Sequence, residues 1–560
     1  MVQYLNNGAS GFEQFKAAQT AKENNGKPKF SNVLTWVVIV ALGGWLVWSW
    51  MMPGKKAAAP TPAAPEIAAT QTDDLSHVPT AIVSGDLLTA RVAGLRISQL
   101  QLKEYKEKKG ADAPVTLLAG DREFAEFGFS GGGTTTPTAG TIWNPLKPYQ
   151  NNGNVIAMTW TSPEGIEFTR TLTLTGDTVL QIKDDVKNNS KTPITLSPYA
   201  RIVRADGAKN QVGVKTGGIA FANDKIDRND WKYLIKHPQS YQTTNGFVGF
   251  TDQYWQTIVR IASPNHPTES TIPLGPGDAA VDETLRLKQR ADGLYQADIA
   301  PESTTIAPGT TVTWTSAMYA GAKTPANLNA AAAAIPGITQ TIDYGWFWFL
   351  ARPMLWALNA LVAFVGNYGV AIILFTILLR IAMWPLTKKS FTGMAAMQKM
   401  QPEMQRIQKQ YANDKLRMQQ EMTALYKRHG SNPMSGCLPM LIQIPIFFAL
   451  YKALLISVPM RQASFLWISD LSVMDPYLIL PLLMGATMWL QQHIQNSYNK
   501  MNALANDNNN PMAQTQKFMK WMPLIFTAMF AIMPAGLVLY WTVSNLFGIG
   551  QMAWIKKNKN

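Results

Sequence analysis

Arg380 is the hardest residue of this chain to place without giving it a function. It sits in the apolar run LFTILLRIAMWPLTKKS (Leu374–Ser390). A guanidinium among apolar neighbours at membrane depth is costly, and its default reading is functional. The competing reading is snorkelling towards the cytoplasmic surface. Lys388 lies eight residues further on, about 12 Å along a helix, a long reach for one side chain. Every acidic residue after Asp343 falls in an expected loop: Glu403, Asp414, Glu421, Asp470, Asp475 and Asp507. Arg380 therefore has no carboxylate at its own depth, which predicts a hydrated cavity open to the cytoplasm.

Other polar residues interrupt the neighbouring apolar runs. Thr376 is one helical turn before Arg380, Gln443 breaks the next run, Thr487 and Gln491 share a face, and Tyr540 and Ser544 share another beside Asn545. Each alone reads as a helix–helix hydrogen-bonding residue. Their number, beside an unpaired arginine, points to a wet groove.

The segment between the first two of these runs is patterned differently. Met394, Met397, Met400, Met404, Ile407 and Tyr411 recur at spacings of three or four, and Leu416, Met422 and Leu425 follow a turn at Asn413-Asp414. This spacing predicts a helical hairpin ended by Gly430. Its methionines either offer an adaptable surface to varied apolar partners or seal the hairpin's own seam.

Several chemistries find no support. The absence of membrane-depth carboxylates argues against a proton pump or ion-coupled transporter, and no phosphate-binding G-x-x-x-x-G-K-[ST] loop is present. Gly128-Phe129-Ser130-Gly131-Gly132 matches G-x-S-x-G, but a Gly/Thr-rich stretch follows where a helix is required, so it reads as a flexible loop. The five histidines show no metal-ligand spacing, and the single Cys437 permits no intrachain disulfide. The expectation is a non-enzyme without metal or cofactor.

The elements that position these residues follow from hydropathy and charge. Residues 57–343 carry 25 Lys+Arg against 28 Asp+Glu, whereas the remainder carries 25 against 8. The basicity thus belongs to the membrane-embedded parts, where positive loops mark the cytoplasmic side, and not to a nucleic-acid surface. A polar tail (1–32) precedes an apolar run at 33–52, long enough to span as a retained anchor; Ala57–Ala59 leave a cleaved signal as the alternative. An Ala/Pro-rich linker (53–80) leads to a domain over 81–340 with period-two alternation from Gly165 and turns at Gly176-Asp177 and Asn188-Asn189. That pattern predicts an exported all-β sandwich, closed by a helix over Asn327–Ala334.

Residues 341–366 hold Tyr344–Val365, rich in Trp and Phe but interrupted by Arg352 and Pro353; this reads as an amphipathic helix on the outer interface. A membrane core follows over 367–555. Its expected spans are Tyr368–Leu386, Leu438–Ser457, Pro476–Gln491 and a long run, Trp521–Ile555, divided at Pro534-Ala535-Gly536. Two of them would be short and would thin the bilayer. The basic hairpin 388–435 and the tail 556–560 place both termini in the cytoplasm of a six-span protein.

At these residues the sequence resembles the YidC family of membrane insertases, within the YidC/Oxa/Alb superfamily. The matching stretches are TIDYGWFWFL (Thr341–Leu350), LLRIAMWPLTK around Arg380, GCLPMLIQIPIFFALY (Gly436–Tyr451), DPYLILPLLMGATM (Asp475–Met488) and MPAGLVLYWTVSN (Met533–Asn545). The resemblance implies a five-helix insertase core in the bacterial inner membrane. It implies a hydrophilic groove open to cytoplasm and lipid, in which Arg380 receives polar parts of the incoming chain and Thr376 and Tyr540 match other groove positions. It further implies a periplasmic β-supersandwich, clients that are nascent membrane proteins, and partnership with the Sec translocon and ribosome–nascent chain complexes. The chain departs from the pattern in its long polar N-terminus and at Trp541, where a second Tyr is expected. Rival readings are a small-solute channel and an envelope scaffold or sugar-binding anchor worked by the β domain.

Overall fold

The computed structural model describes residues 75–120, 122–132, 134–146, 153–205, 214–262, 282–429, 438–499 and 511–557, without the side chains of 389–399, 401, 415, 438–441, 496–499, 511–519 and 556–557. The N-terminal tail, the anchor run, most of the linker, Gly430, Cys437 and residues 558–560 lie outside the described residues.

Residues 80–322 build two antiparallel sheets, one of ten strands and one of nine. Their inner faces follow the pleat. In Ile166–Thr175, Ile166, Phe168, Arg170, Leu172 and Leu174 are buried and alternate with half-exposed polar residues. This strand turns into Val179–Asn188 through Gly176 and Asp177, both at positive φ (54° and 58°), the backbone that Gly and Asp tolerate best. Arg170 occupies an inward position that alternation alone would assign to an apolar residue. Its guanidinium grips Asp184 with two bonds (2.7 and 2.9 Å) and donates at 2.9 Å to the Phe127 carbonyl of the other sheet. The charge is thereby satisfied where an unpaired one would not be tolerated.

Ser130 is not in a flexible loop. It lies in the strand Phe124–Gly132, paired with Ser197 of Ile194–Arg204. The glycines around it answer crowding across the ladder: a Cβ on Gly128 would fall within 2.5 Å of the Tyr199 hydroxyl, and one on Gly131 within 2.3 Å of the Thr195 carbonyl.

Two short helices accompany the sheets, α1 (Trp231–Lys236) and α2 (Pro325–Ala331). Thr324 caps α2 by accepting from the Asn327 amide at 3.2 Å, with Pro325 at the first helical position. The helix therefore begins two residues before Asn327.

The rest is helical: α3 (Trp348–Val365), α4 (Tyr368–Ala382), α5 (Trp384–Gln410), α6 (Lys415–Arg428), α7 (Leu438–Ile456), α8 (Ile479–Asn499), α9 (Pro511–Phe530) and α10 (Ala535–Lys557). Among the described residues, α3 is the one helix long and apolar enough to cross a membrane by length and composition. Its two ends, however, are tied to the same side of the molecule. Just before it, Asp343 pairs with Lys452 near the end of α7 (2.7 Å). Just after it, Asn367 donates to the Ser464 carbonyl (3.1 Å) in the loop 457–478 that contacts the β domain. The corner itself is two residues long. Gly366 ends α3 at φ 71°, and Asn367 caps α4 by accepting from the Gly369 and Val370 amides.

The helices differ from the apolar runs in length. α8 has 21 residues and α9 has 20, because each extends a polar end beyond its apolar stretch. α4 is short as a helix, its 15 residues ending at a break at Met383; at ~1.5 Å per residue it is about 22 Å long. The long run does divide near Pro534, with α9 ending at Phe530 and α10 starting at Ala535. The backbone of Val473 and Leu471 accepts from Ala535 and Gly536, so the loop 457–478 covers this turn.

Candidate functional site

α10 is the hinge of the helical core, and two polar sets converge on it. On one face, the Arg380 Nε of α4 donates to the Ser544 hydroxyl at 2.7 Å, and a second guanidinium nitrogen reaches the same oxygen. One turn earlier on that face, the Tyr540 hydroxyl accepts from Gln443 of α7 at 2.9 Å. Tyr540 and Ser544 are buried while Arg380 is half-buried, and Arg380 makes no ion pair among the described residues. A serine hydroxyl satisfies donors but supplies no charge. Arg380 therefore keeps a full positive charge on α4, three residues before the break at Met383.

The second set faces α8. Asn545 donates to the Thr487 hydroxyl (3.3 Å) and towards the Met484 carbonyl (3.5 Å), while Gln491 lies against Gly548. A Cβ at Gly548 would stand 3.0 Å from the Gln491 amide nitrogen, so a side chain there would press the end of Gln491 aside. Thr376 joins neither set. It is fully buried, and its hydroxyl donates to the Ile372 carbonyl one turn back at 2.6 Å.

Gln551 was not singled out from sequence. It is buried, and both its amide nitrogen and oxygen lack a partner among the described residues. It lies seven residues after Ser544, two helical turns along the same face. That spacing was the available signal.

The hairpin predicted for 388–435 forms as α5 and α6. Asp414 caps α6 by accepting from the Arg417 amide at 3.0 Å. Met400, Met404 and Leu425 are buried together, with Ile407, Met422 and Tyr426 packed on them. Met400 and Met404 seal the hairpin seam, whereas Met422 at its edge is half-buried. Leu416, expected on the same face, is exposed; the side chains of Met394 and Met397 lie outside the described residues.

A wide cleft lies elsewhere. It has a volume of about 860 Å³ and sits where α3 and the start of the 457–478 loop meet the β domain, lined by Arg228, Lys323, Asp343 and Arg352.

Comparison with known proteins gives the lineage. A YidC periplasmic domain family matches residues 80–357, and a 60Kd inner membrane protein family matches 360–560. The membrane protein insertase YidC of Sinorhizobium fredii is 33% identical over 528 residues, covering 86% of this chain and 82% of its own. That of Granulibacter bethesdensis is 34% identical, covering 83% and 84%. The chain belongs to the YidC family. A crystal structure described as an active YidC insertase with its first transmembrane domain resolved aligns over 92% of this chain and 99% of that one, at 14% identity and a TM-score of 0.33.

Trp541 stands where the resemblance led to the expectation of a Tyr. Its indole packs among the rings of Phe447, Phe526 and Phe530, with centroids 5.4, 6.0 and 5.2 Å away. The position serves an aromatic cluster between α7, α9 and α10.

Proposed function

We propose that this chain inserts integral membrane proteins into the bacterial inner membrane and assists their folding, through a groove centred on Arg380. The observation that carries the reading is the arginine itself, held by Ser544 without an ion pair between α4 and α10. A client's apolar helix gains by entering lipid, and its polar flank opposes crossing. Arg380 at the end of a short α4 offers that flank a cation with donors to spare, attracting acidic side chains and carbonyls. Gln443, Tyr540 and Ser544 line the same face; Thr487, Gln491 and Asn545 extend it towards α8.

The proposed topology has six spans, namely the anchor run at 33–52 and α4, α7, α8, α9 and α10. Both termini and the α5–α6 hairpin lie in the cytoplasm, the β domain lies in the periplasm, and α3 lies on the outer interface. The two same-side tethers of α3 support that placing. The basic hairpin is the surface offered to ribosome–nascent chain complexes and clients, and the Sec translocon is the expected membrane partner. The reading requires no metal, cofactor or catalytic residue.

The test is insertion of a small two-span client into proteoliposomes containing only this protein, scored by protease protection. Wild type inserts above empty liposomes, and Arg380→Ala and Arg380→Glu lose most of that activity. Normal insertion by both variants would remove the electrostatic role. Solute flux without client insertion would replace the whole reading with a channel.

A further inference from the structure

The cleft beside α3 has a composition that insertion chemistry does not use. Arg228, Lys323 and Arg352 line it, with Asp343 as the one carboxylate in the lining. Asp343 pairs with Lys452 at 2.7 Å, and against the upward push of burial that pairing, with Arg228 and the Gly345 amide, holds its carboxyl down at about 2. Arg228 faces Asp343 and Asp227 and donates to the Gln340 and Thr341 carbonyls (3.0 and 3.1 Å), while Asp252 pairs with Arg204 (3.0 Å), so Lys323 and Arg352 meet no further carboxylate of the lining. The lining therefore keeps an excess of positive charge. Arg352 is exposed and makes no ion pair among the described residues.

The apolar wall is equally specific. Trp348 and Trp356 line the cleft from α3 while remaining 59% and 73% exposed. Indoles with that exposure belong at the level of lipid headgroups, with the ring among glycerol and acyl carbonyls. Arginine and lysine beside them match a phosphodiester in charge and donor geometry. The volume of about 860 Å³ suits a ligand the size of a headgroup and its glycerol.

We propose that this cleft holds the phosphate headgroup of an anionic phospholipid from the outer leaflet, received by Arg228, Lys323 and Arg352 and flanked by Trp348 and Trp356. Lys323 adds an independent sign. Burial holds its ammonium down at about 7 although its nitrogen bonds Thr251 and the Asp252 carbonyl, so a bound anion would relieve a desolvated cation. A lipid seated there would bridge the β domain to α3 at the bilayer surface. The inference rests on the proposed placing of α3 at the outer interface, and is independent of Arg380.

The experiment is native mass spectrometry of the full chain released from nanodiscs of phosphatidylglycerol or phosphatidylcholine with matched acyl chains. Wild type retains phosphatidylglycerol in preference. Arg352→Glu, at an exposed position, lowers that retention about tenfold or more, and Arg352→Lys restores it. Phosphatidylcholine retention is the same in all three. Equal retention of both lipids by wild type, or no effect of charge reversal, overturns the proposal. Complete displacement of the lipid by glycerol-3-phosphate assigns the cleft to a soluble anion and also overturns it. Client insertion is scored separately: lipid retention without insertion would defeat the insertase reading alone.

Discussion

At the scale of the residue, the core of this protein is governed by polar groups that lack full satisfaction. Arg380 is served by one hydroxyl, and Gln551 by none among the described residues. Leaving a buried polar group unpaired costs about 1–3 kcal/mol, so such residues are kept for something other than stability. Gln551→Leu is expected to raise the thermal unfolding midpoint of the full chain in detergent, by removing that cost while preserving volume. An unchanged or lowered midpoint would show that lipid or water already serves the amide. Arg380 was legible in the sequence because a charge in an apolar run stands out. Gln551 was not, because a single amide near the end of a long apolar run looks like the onset of the polar tail.

At the scale of the element, burial sets the pH response of the β domain. Glu283 begins the strand Glu283–Gln289, is 4% exposed, and accepts one bond from the Gly246 amide (2.8 Å) while its other oxygen has no partner among the described residues. Burial pushes its carboxyl up to about 7, against the opposing pull of that amide and of Arg260. The folded state thus holds the proton to higher pH than the unfolded chain, whose glutamate titrates near 4.5. The contribution of this site to stability is full below pH 4.5, falls as pH rises towards 7, and stays low above it, a loss of about 3 kcal/mol. Glu283→Gln removes the dependence. Unfolding followed by tryptophan fluorescence is expected to show the variant above wild type at pH ~8 and level with it at pH ~4.5. A wild-type midpoint flat across that range would contradict the assignment. The helices make a related point: the turn at Asn413-Asp414 was readable from local sequence, and there Asp414 caps α6, whereas the break at Met383 that shortens α4 was missed although Pro385 stands in the first turn of α5.

At the scale of the whole molecule, the β domain is fastened to the helices through the loop 457–478. Arg461 donates at 2.6 Å to the carbonyls of both Lys106 and Glu107 and lies over the Trp255 ring (5.6 Å). Gln462 and Lys109 add bonds across the same junction, and Val458 enters the sheet core. Arg461→Ala is expected to loosen this junction without unfolding either part. Hydrogen–deuterium exchange should rise over 103–109 and 457–470 and stay unchanged in the strand Ile166–Thr175. Exchange that rises throughout the sheets would mean the loop supports the fold itself.

What the sequence determined by itself was everything carried by local periodicity and charge. The alternation from Ile166, the apolar runs, the Met spacing of the hairpin, the division near Pro534 and the exceptional standing of Arg380 are all properties of neighbouring residues. Tertiary structure decided which of these residues meet. Ser544 lies 164 positions from Arg380, and nothing local says that its hydroxyl receives that guanidinium. The methionines were ambiguous between surface and seam until α6 closed over Met400 and Met404. Ser130 read as loop because glycine suggests freedom, whereas here it answers the crowding of Tyr199 and Thr195 on the paired strand. Long-range pairing is not written in periodicity: a helix or strand records which face is buried, and only the packed molecule supplies what lies against it.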